Sequence, residues 1–344
     1  MKTVKIFGIL FFALILLAGV WWYWQQWQSG QPTSLRPVVL QLKWLHQAQF
    51  AGNYIAKEKG FYAQEGLDVK IIPFSFESPT IEAVASGKAD FGITGADELM
   101  LARAKGLPLK AIAVIYKINP VCAYALKASG ITRPQDFVGK TVGIERAVDG
   151  SDINVGILYK AMMHKLGIDR SQIKEVTIGY DASELIGGKV DVATGYFINE
   201  PHLAQEAGYE VNTILMADYG VNMYADVIFT RDELLENNFT LVVKFLRATL
   251  RGWQYAVSHQ QEAVKAVLRY ALNRSASHQA YMLSASVPLI FTGEDPLGWM
   301  QKSEWRRIKE ILTEQGILTQ EISSQDVYTL EALREVYKDS LVKL

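Results

Sequence analysis

The sequence predicts an α/β protein with two similar lobes, on three observations. Beyond residue 37, short apolar or alternating runs rich in Val and Ile take turns with segments of helical apolar spacing. That alternation is the signature of a mostly parallel sheet with helices on both faces. The stretch Gly87-Lys88-Ala89-Asp90-Phe91-Gly92-Ile93-Thr94-Gly95 recurs, one residue shorter, as Gly188-Lys189-Val190-Asp191-Val192-Ala193-Thr194-Gly195, which suggests a duplicated lobe. Composition supports a sizeable core: hydrophobic residues make up 49% of the 344 and charged residues 21%. A net charge of -1 offers no basic face for nucleic acid.

Residues 1–36 stand apart. Lys2 and Lys5 precede an apolar run over 6–24, and no charge follows until Arg36. A run of this size approaches the roughly 20 residues that cross a bilayer as a helix. After Ala18 and Gly19 the chain continues with Val20, Trp21, Trp22, Tyr23 and Trp24, too bulky for a signal-peptidase site and suited to an interfacial aromatic belt. Residues 6–24 are therefore expected to be an uncleaved membrane anchor, with a cleaved signal peptide as the alternative, and 25–37 a polar tether. Both place the body outside the cytoplasm.

In the body, an apolar strand over 38–42 runs into the corner Lys43 to Ala56, whose helical spacing continues to Lys59 and stops at Gly60. Strand-to-helix corners at the carboxyl ends of strands are where open α/β sheets hold ligands. This one supplies Trp44, His46, Gln47, Phe50 and Asn53, flat faces beside neutral hydrogen-bonding groups, suited to a planar polar ligand. Strands follow over 67–74, 90–94 and 109–116, separated by helices over 81–85 and 99–105. The second lobe should begin near Val121 with a polar loop over 131–139, a strand over 141–145 and a helix running to Leu166. Ser151 can cap that helix and leave its N–H groups for a ligand. A strand over 223–229 is followed by helices over 232–235, 241–258, 261–272 and 304–314 that wrap back onto the first lobe.

Each copy of the repeat ends in a glycine turn followed by acids, Asp97 and Glu98 in the first and Glu200 in the second. Two such edges facing one another make a cleft. The five histidines, His46, His164, His202, His259 and His278, show no ligand spacing, so neither a metal nor a cofactor is expected. Phosphate-loop, Gly-x-Ser-x-Gly and dinucleotide motifs are absent. Cys122, the single cysteine, excludes an internal disulfide and reads as a small buried apolar residue.

Lys43-Trp44, His46-Gln47-Ala48-Gln49-Phe50-Ala51-Gly52, Glu58-Lys59-Gly60-Phe61-Tyr62, Glu65-Gly66-Leu67-Asp68-Val69, Asn199-Glu200-Pro201 and Gly298-Trp299-Met300 together resemble the NMT1/THI5-like (SsuA/THI5-like) substrate-binding proteins of ABC importers. The resemblance implies a type II periplasmic-binding-protein fold, two lobes with central mostly parallel sheets joined by two crossover strands: residues 37–120 with 222–344, and 121–221. It implies a monomer that captures a small molecule such as a thiamine pyrimidine precursor, riboflavin or an alkanesulfonate and delivers it to an ABC permease and its ATPase. By position, Trp44 resembles one face of an aromatic sandwich and Glu200 an acceptor for ring amino groups, with Tyr196, Asn222, Tyr224 and Asp226 as further candidates near the second crossover. His46 and Gln47 replace the Pro-Asn of the pyrimidine branch, and Phe50 stands in place of its histidine. The family's eukaryotic pyrimidine synthase needs a cysteine-rich motif that this chain lacks, so an enzyme is not expected. The competing function is ligand sensing; with the chain ending at Leu344 after an amphipathic helix, it would need a separate output partner.

Overall fold

A computed structural model describes residues 34–146, 153–293 and 295–338. The apolar run over 6–24 and Ser151 lie outside the described residues. Among the described residues no helix is long and apolar enough to cross a membrane.

Ten strands are described: β1 (Arg36–Gln41), β2 (Leu67–Ile72), β3 (Phe91–Thr94), β4 (Leu109–Tyr116), β5 (Val121–Leu126), β6 (Thr141–Glu145), β7 (Lys174–Ile178), β8 (Val192–Tyr196), β9 (Val211–Leu215) and β10 (Ala225–Arg231). They form two five-stranded sheets, ordered β2-β1-β3-β10-β4 and β7-β6-β8-β5-β9. Within each sheet one strand runs against its neighbours, β10 against β3 and β4, and β5 against β8 and β9. Both sheets are therefore mixed, and the reversed strand in each is the one that arrives from the other sheet. Residues 117–120 carry the chain out of β4 into β5, and residues 216–224 bring it back into β10.

The repeated sequence occupies equivalent places, since β3 and β8 are the middle strands of their sheets. Its aspartates do the same work in both. Asp90 accepts a hydrogen bond from the Val39 N–H at 2.9 Å, and Asp191 accepts one from the Thr141 N–H at 2.8 Å. Each pins the strand beside it, so the echo records a duplicated structural joint.

The corner after β1 differs in detail from the sequence expectation. Residues 43–47 form an irregular loop, Ala48–Phe50 a 3-10 turn, and the helix proper is Ala51–Glu58. That helix is held by the twenty-residue Phe239–Ser258 helix, whose Val243, Leu246, Leu250 and Trp253 are buried. Close approach depends on two glycines: a Cβ on Gly52 would collide with the Trp253 indole, and one on Gly252 with the Gly52 carbonyl. The sequence pattern did not foresee the Ala276–Ile290 helix, which carries Pro288 inside it and is capped by Ser275, whose hydroxyl accepts from the His278 N–H. It braces the corner through Gln279, whose side-chain carbonyl accepts from the Ala48 N–H at 2.7 Å. Cys122 is fully buried.

Candidate functional site

A cavity of about 180 Å³ lies between the two sheets' ends. Its lining comes from the segments that follow β1, β2, β3, β6, β7 and β8, so six strands deliver side chains from their carboxyl ends, the edge where α/β sheets present ligands. Trp44, Phe74, Phe76, Tyr180 and Tyr196 supply aromatic surface, and Ile153 and Val155 add aliphatic surface. Polar groups come from Lys43, Gln47, Gln49, Glu98, Glu145, Asn154, Asn199 and Glu200. Trp44 meets Tyr180 edge to face, with ring centroids 5.0 Å apart, and lies nearly parallel to Phe74 at 6.4 Å.

On the first-lobe side the charges are compensated. Asp226, 1% exposed, accepts two hydrogen bonds from the Gln49 amide at 2.8 and 3.0 Å and pairs with Lys43 at 3.4 Å. Gln47 in turn donates to the Gln49 carbonyl at 2.7 Å. Lys43 donates to the Tyr196 hydroxyl at 3.1 Å, which links the network to the second lobe. Burial pushes the Asp226 pKa up, opposed by Lys43 and Gln49. Burial also opposes the Lys43 charge, but Tyr196, Asp226 and Glu98 outweigh it and keep the ammonium protonated. Asp226 holds a left-handed backbone, φ 49°, that aspartate tolerates better than most residues.

On the second-lobe side, two carboxylates have no cation paired with them among the described residues. Glu200, 4% exposed, accepts from the Tyr196 N–H at 2.6 Å and from the Asn199 amide. Gly195 leaves room for it, since a Cβ there would sit 2.8 Å from its Oε2. Burial drives the Glu200 pKa to about 7 despite those hydrogen bonds. Glu145 is pushed well above the carboxylate range by burial and by the field of Glu200. Its Oε1 is buried and has no hydrogen-bond partner among the described residues. Burial and mutual repulsion oppose the ionisation of both acids together.

Glu98 closes a capping box at the start of the Ala96–Ala104 helix, accepting from Thr94 and from the Gly95 N–H at 3.4 Å, and also faces the cavity. Asp97, expected beside it in the cleft, is fully buried; burial, then Glu98, raise its pKa to about 6.

Of the residues singled out from sequence, the fold brings Trp44, Gln47, Glu98, Tyr196 and Glu200 to the cavity wall. His46 turns away, its Nδ1 2.9 Å from the Tyr54 hydroxyl, and Phe50 is fully buried in the core. Asn53 lies under the helix beside Tyr62, and Tyr224 is buried against Trp305 with its hydroxyl accepting from the Gln301 N–H at 2.9 Å. Asn222 staples the two crossovers: it accepts from the Asn119 N–H at 2.8 Å and donates to the Lys117 carbonyl at 2.9 Å. Asp226 sits behind Lys43 and Gln49 and orients them. The helix expected to start at Ser151 begins at Asn154, with Ile153 in the cap position. Sequence reasoning missed Glu145, Asn154, Tyr180 and Asn199. Two of the five histidines, His202 and His278, do meet.

Two mixed sheets joined by two crossovers, with a cleft at the strand ends, define the periplasmic-binding-protein fold. A solved structure of the putative sulfonate-binding protein SsuA from Methylobacillus flagellatus superimposes with a TM-score of 0.68 at 16% identity, over 89% of this chain and 94% of that one. Residues 47–263 match the family described as NMT1/THI5 like, and the chain belongs to that family. It is 31% identical to the riboflavin-binding protein RibY of Chloroflexus aurantiacus, over 88% of this chain and 87% of that protein. It is 25% identical to the formylaminopyrimidine-binding protein of Halalkalibacterium halodurans, over 96% of this chain and 99% of that protein.

Proposed function

We propose that the protein captures a single-ring, amino-bearing aromatic heterocycle of the thiamine-pyrimidine class between its lobes, residues 37–120 with 222–344 and 121–221. It passes the ligand to an ABC permease and its ATPase. The apolar run over 6–24 anchors it at the outer face of the membrane. The observation that carries the ligand class is the Glu145 and Glu200 pair, buried beside an aromatic wall with no paired cation among the described residues. Raised pKa values let either acid keep its proton, so this wall can offer both a carboxyl donor and a carboxylate acceptor. An aminopyrimidine edge presents the complement, an amino donor next to a ring-nitrogen acceptor. A sulfonate finds three wall carboxylates and a lysine already paired with Asp226. Size agrees: a cavity of about 150 Å³ takes benzene, and this one measures about 180 Å³.

Riboflavin is the second reading, favoured by the 31% identity to RibY and by the aromatic rim of Trp44, Phe74 and Phe76. Its three fused rings are larger than the single ring that a cavity of about 180 Å³ suits. Thermal melting of the full chain against formylaminopyrimidine, hydroxymethylpyrimidine, riboflavin and taurine separates these. A ligand at about 100 times its Kd adds roughly 2.7 kcal/mol of stability. A shift with a pyrimidine that shrinks in Trp44→Ala supports the proposal; a response to taurine or riboflavin alone sinks it.

A further inference from the structure

The Glu200–Glu206 helix of the second sheet's half and the Ala276–Ile290 helix of the first meet at a cluster that the ligand site does not use. His202 Nδ1 lies 2.9 Å from His278 Nδ1. The Glu206 carboxylate, one helical turn beyond His202, reaches within 3.9 Å of His278 Nδ1, and the three ligand atoms all fall within 4.8 Å of one another.

The surroundings fix these side chains. Asn199 donates its amide to Glu200, so its carbonyl oxygen faces His278 Nε2 at 2.8 Å and accepts from it. That assigns the proton of His278 to Nε2, so its Nδ1 accepts from the His202 Nδ1–H, and an ion between the rings would replace that proton, which His202 can carry on Nε2 instead. A ring N–H given to a carbonyl is the usual support of a metal-binding histidine. His202 is held flat on the Tyr281 ring, with centroids 3.8 Å apart and planes 7° from parallel. Ser277 and Ser275 donate to the other Glu206 oxygen at 2.8 and 3.3 Å. Burial lowers the pKa of both histidines, which favours the neutral ring that ligates.

We propose that His202, His278 and Glu206 bind a divalent metal ion of borderline softness, Zn²⁺ foremost, clamping the two halves together beside the cleft. Two imidazoles and one carboxylate leave a position for water, a donor set that suits Zn²⁺. Because His202 and Glu206 come from one half and His278 from the other, the ion acts as an interlobe tie. Asn199 joins the site to Glu200, so occupancy stiffens one wall of the ligand cavity.

The test is calorimetric titration of chelator-treated full-length protein with Zn²⁺, and optical titration with Co²⁺ as a reporter of tetrahedral geometry. We expect saturable single-site binding that is abolished by His202→Gln and by His278→Gln, and weakened about tenfold by Asn199→Ala. Zn²⁺ should raise the melting temperature of the wild type and leave both histidine variants unmoved. Their metal-free melting curves show whether each variant still folds. Absence of saturable binding in the wild type overturns the site, as does binding that survives either histidine substitution in a folded variant.

Discussion

The two walls of the cleft bury carboxylates under opposite conditions. Asp226 on the first-lobe side is matched by Lys43 and Gln49 before any ligand arrives. On the other side, Glu200 has hydrogen-bond donors, Glu145 Oε1 has none, and neither acid pairs with a cation among the described residues; both pKa values are raised, chiefly by burial. A compensated charge positions its neighbours, whereas an uncompensated one can still gain from a partner. On the proposed function, this difference rather than residue type separates scaffold from binding group, because all three are acids of similar burial.

The largest expected effect comes from breaking the compensated side. Asp226→Ala strands the Lys43 ammonium, and removing one partner of a buried pair costs about 3–5 kcal/mol. Urea denaturation should show that loss, and Asp226→Asn, which keeps one acceptor oxygen for the Gln49 amide and tolerates the same backbone, should lose less.

Asp97 sharpens the comparison through pH. Its pKa is raised to about 6 in the fold by burial and Glu98, against 3.8 as its reference value. The folded state therefore holds this proton where the unfolded chain releases it, so stability falls as pH climbs from about 4 to 6 and the cost is complete above that. Asp97→Asn should be more stable than wild type by about 3 kcal/mol at pH 8 and indistinguishable from it below pH 4, as read from denaturation at the two pH values.

On the uncompensated side, Glu200→Gln should weaken binding of an aminopyrimidine by about 1.5–3 kcal/mol, the worth of a hydrogen bond to a charged group. Its ligand-free melting temperature should fall less than that of Asp226→Ala, because Gln keeps one of the two acceptor oxygens and leaves no stranded charge. Trp44→Ala should lose about 1–3 kcal/mol of binding through stacking, with little change in fold stability, because Trp44 is only partly buried. The smallest effect is expected at the hinge: Asn222→Ala removes the staple between the crossovers and should cost about 1 kcal/mol of stability, with hydrogen exchange quickening at the Asn119 amide.

The alternation of strands and helices was legible in the sequence because period and propensity are local. The repeat marked the middle strand of each sheet for the same reason, its Asp90 and Asp191 doing one structural job twice. Trp44 and Glu200 were found because each follows a strand end. Glu145 also ends a strand, but a lone acid at that position reads as a solvated cap; only the neighbouring β8 and Glu200 bury it. Tyr180 and Asn199 lie in loops without periodicity, and His202 and His278 are 76 residues apart, so no window holds both. Phe50 and Asn53 show the converse error: side chains on a ligand-facing corner point inward when a long helix packs against them, and the Gly52 contact with Trp253 brings that helix in.

The most direct test of the account is a calorimetric titration of the full chain with hydroxymethylpyrimidine, wild type against Glu200→Gln. Saturable single-site binding is expected, weakened at least about tenfold in the variant, while the ligand-free variant still unfolds in one cooperative transition. Equal affinity in the two proteins, or a silent pyrimidine titration beside clear taurine binding, would contradict it.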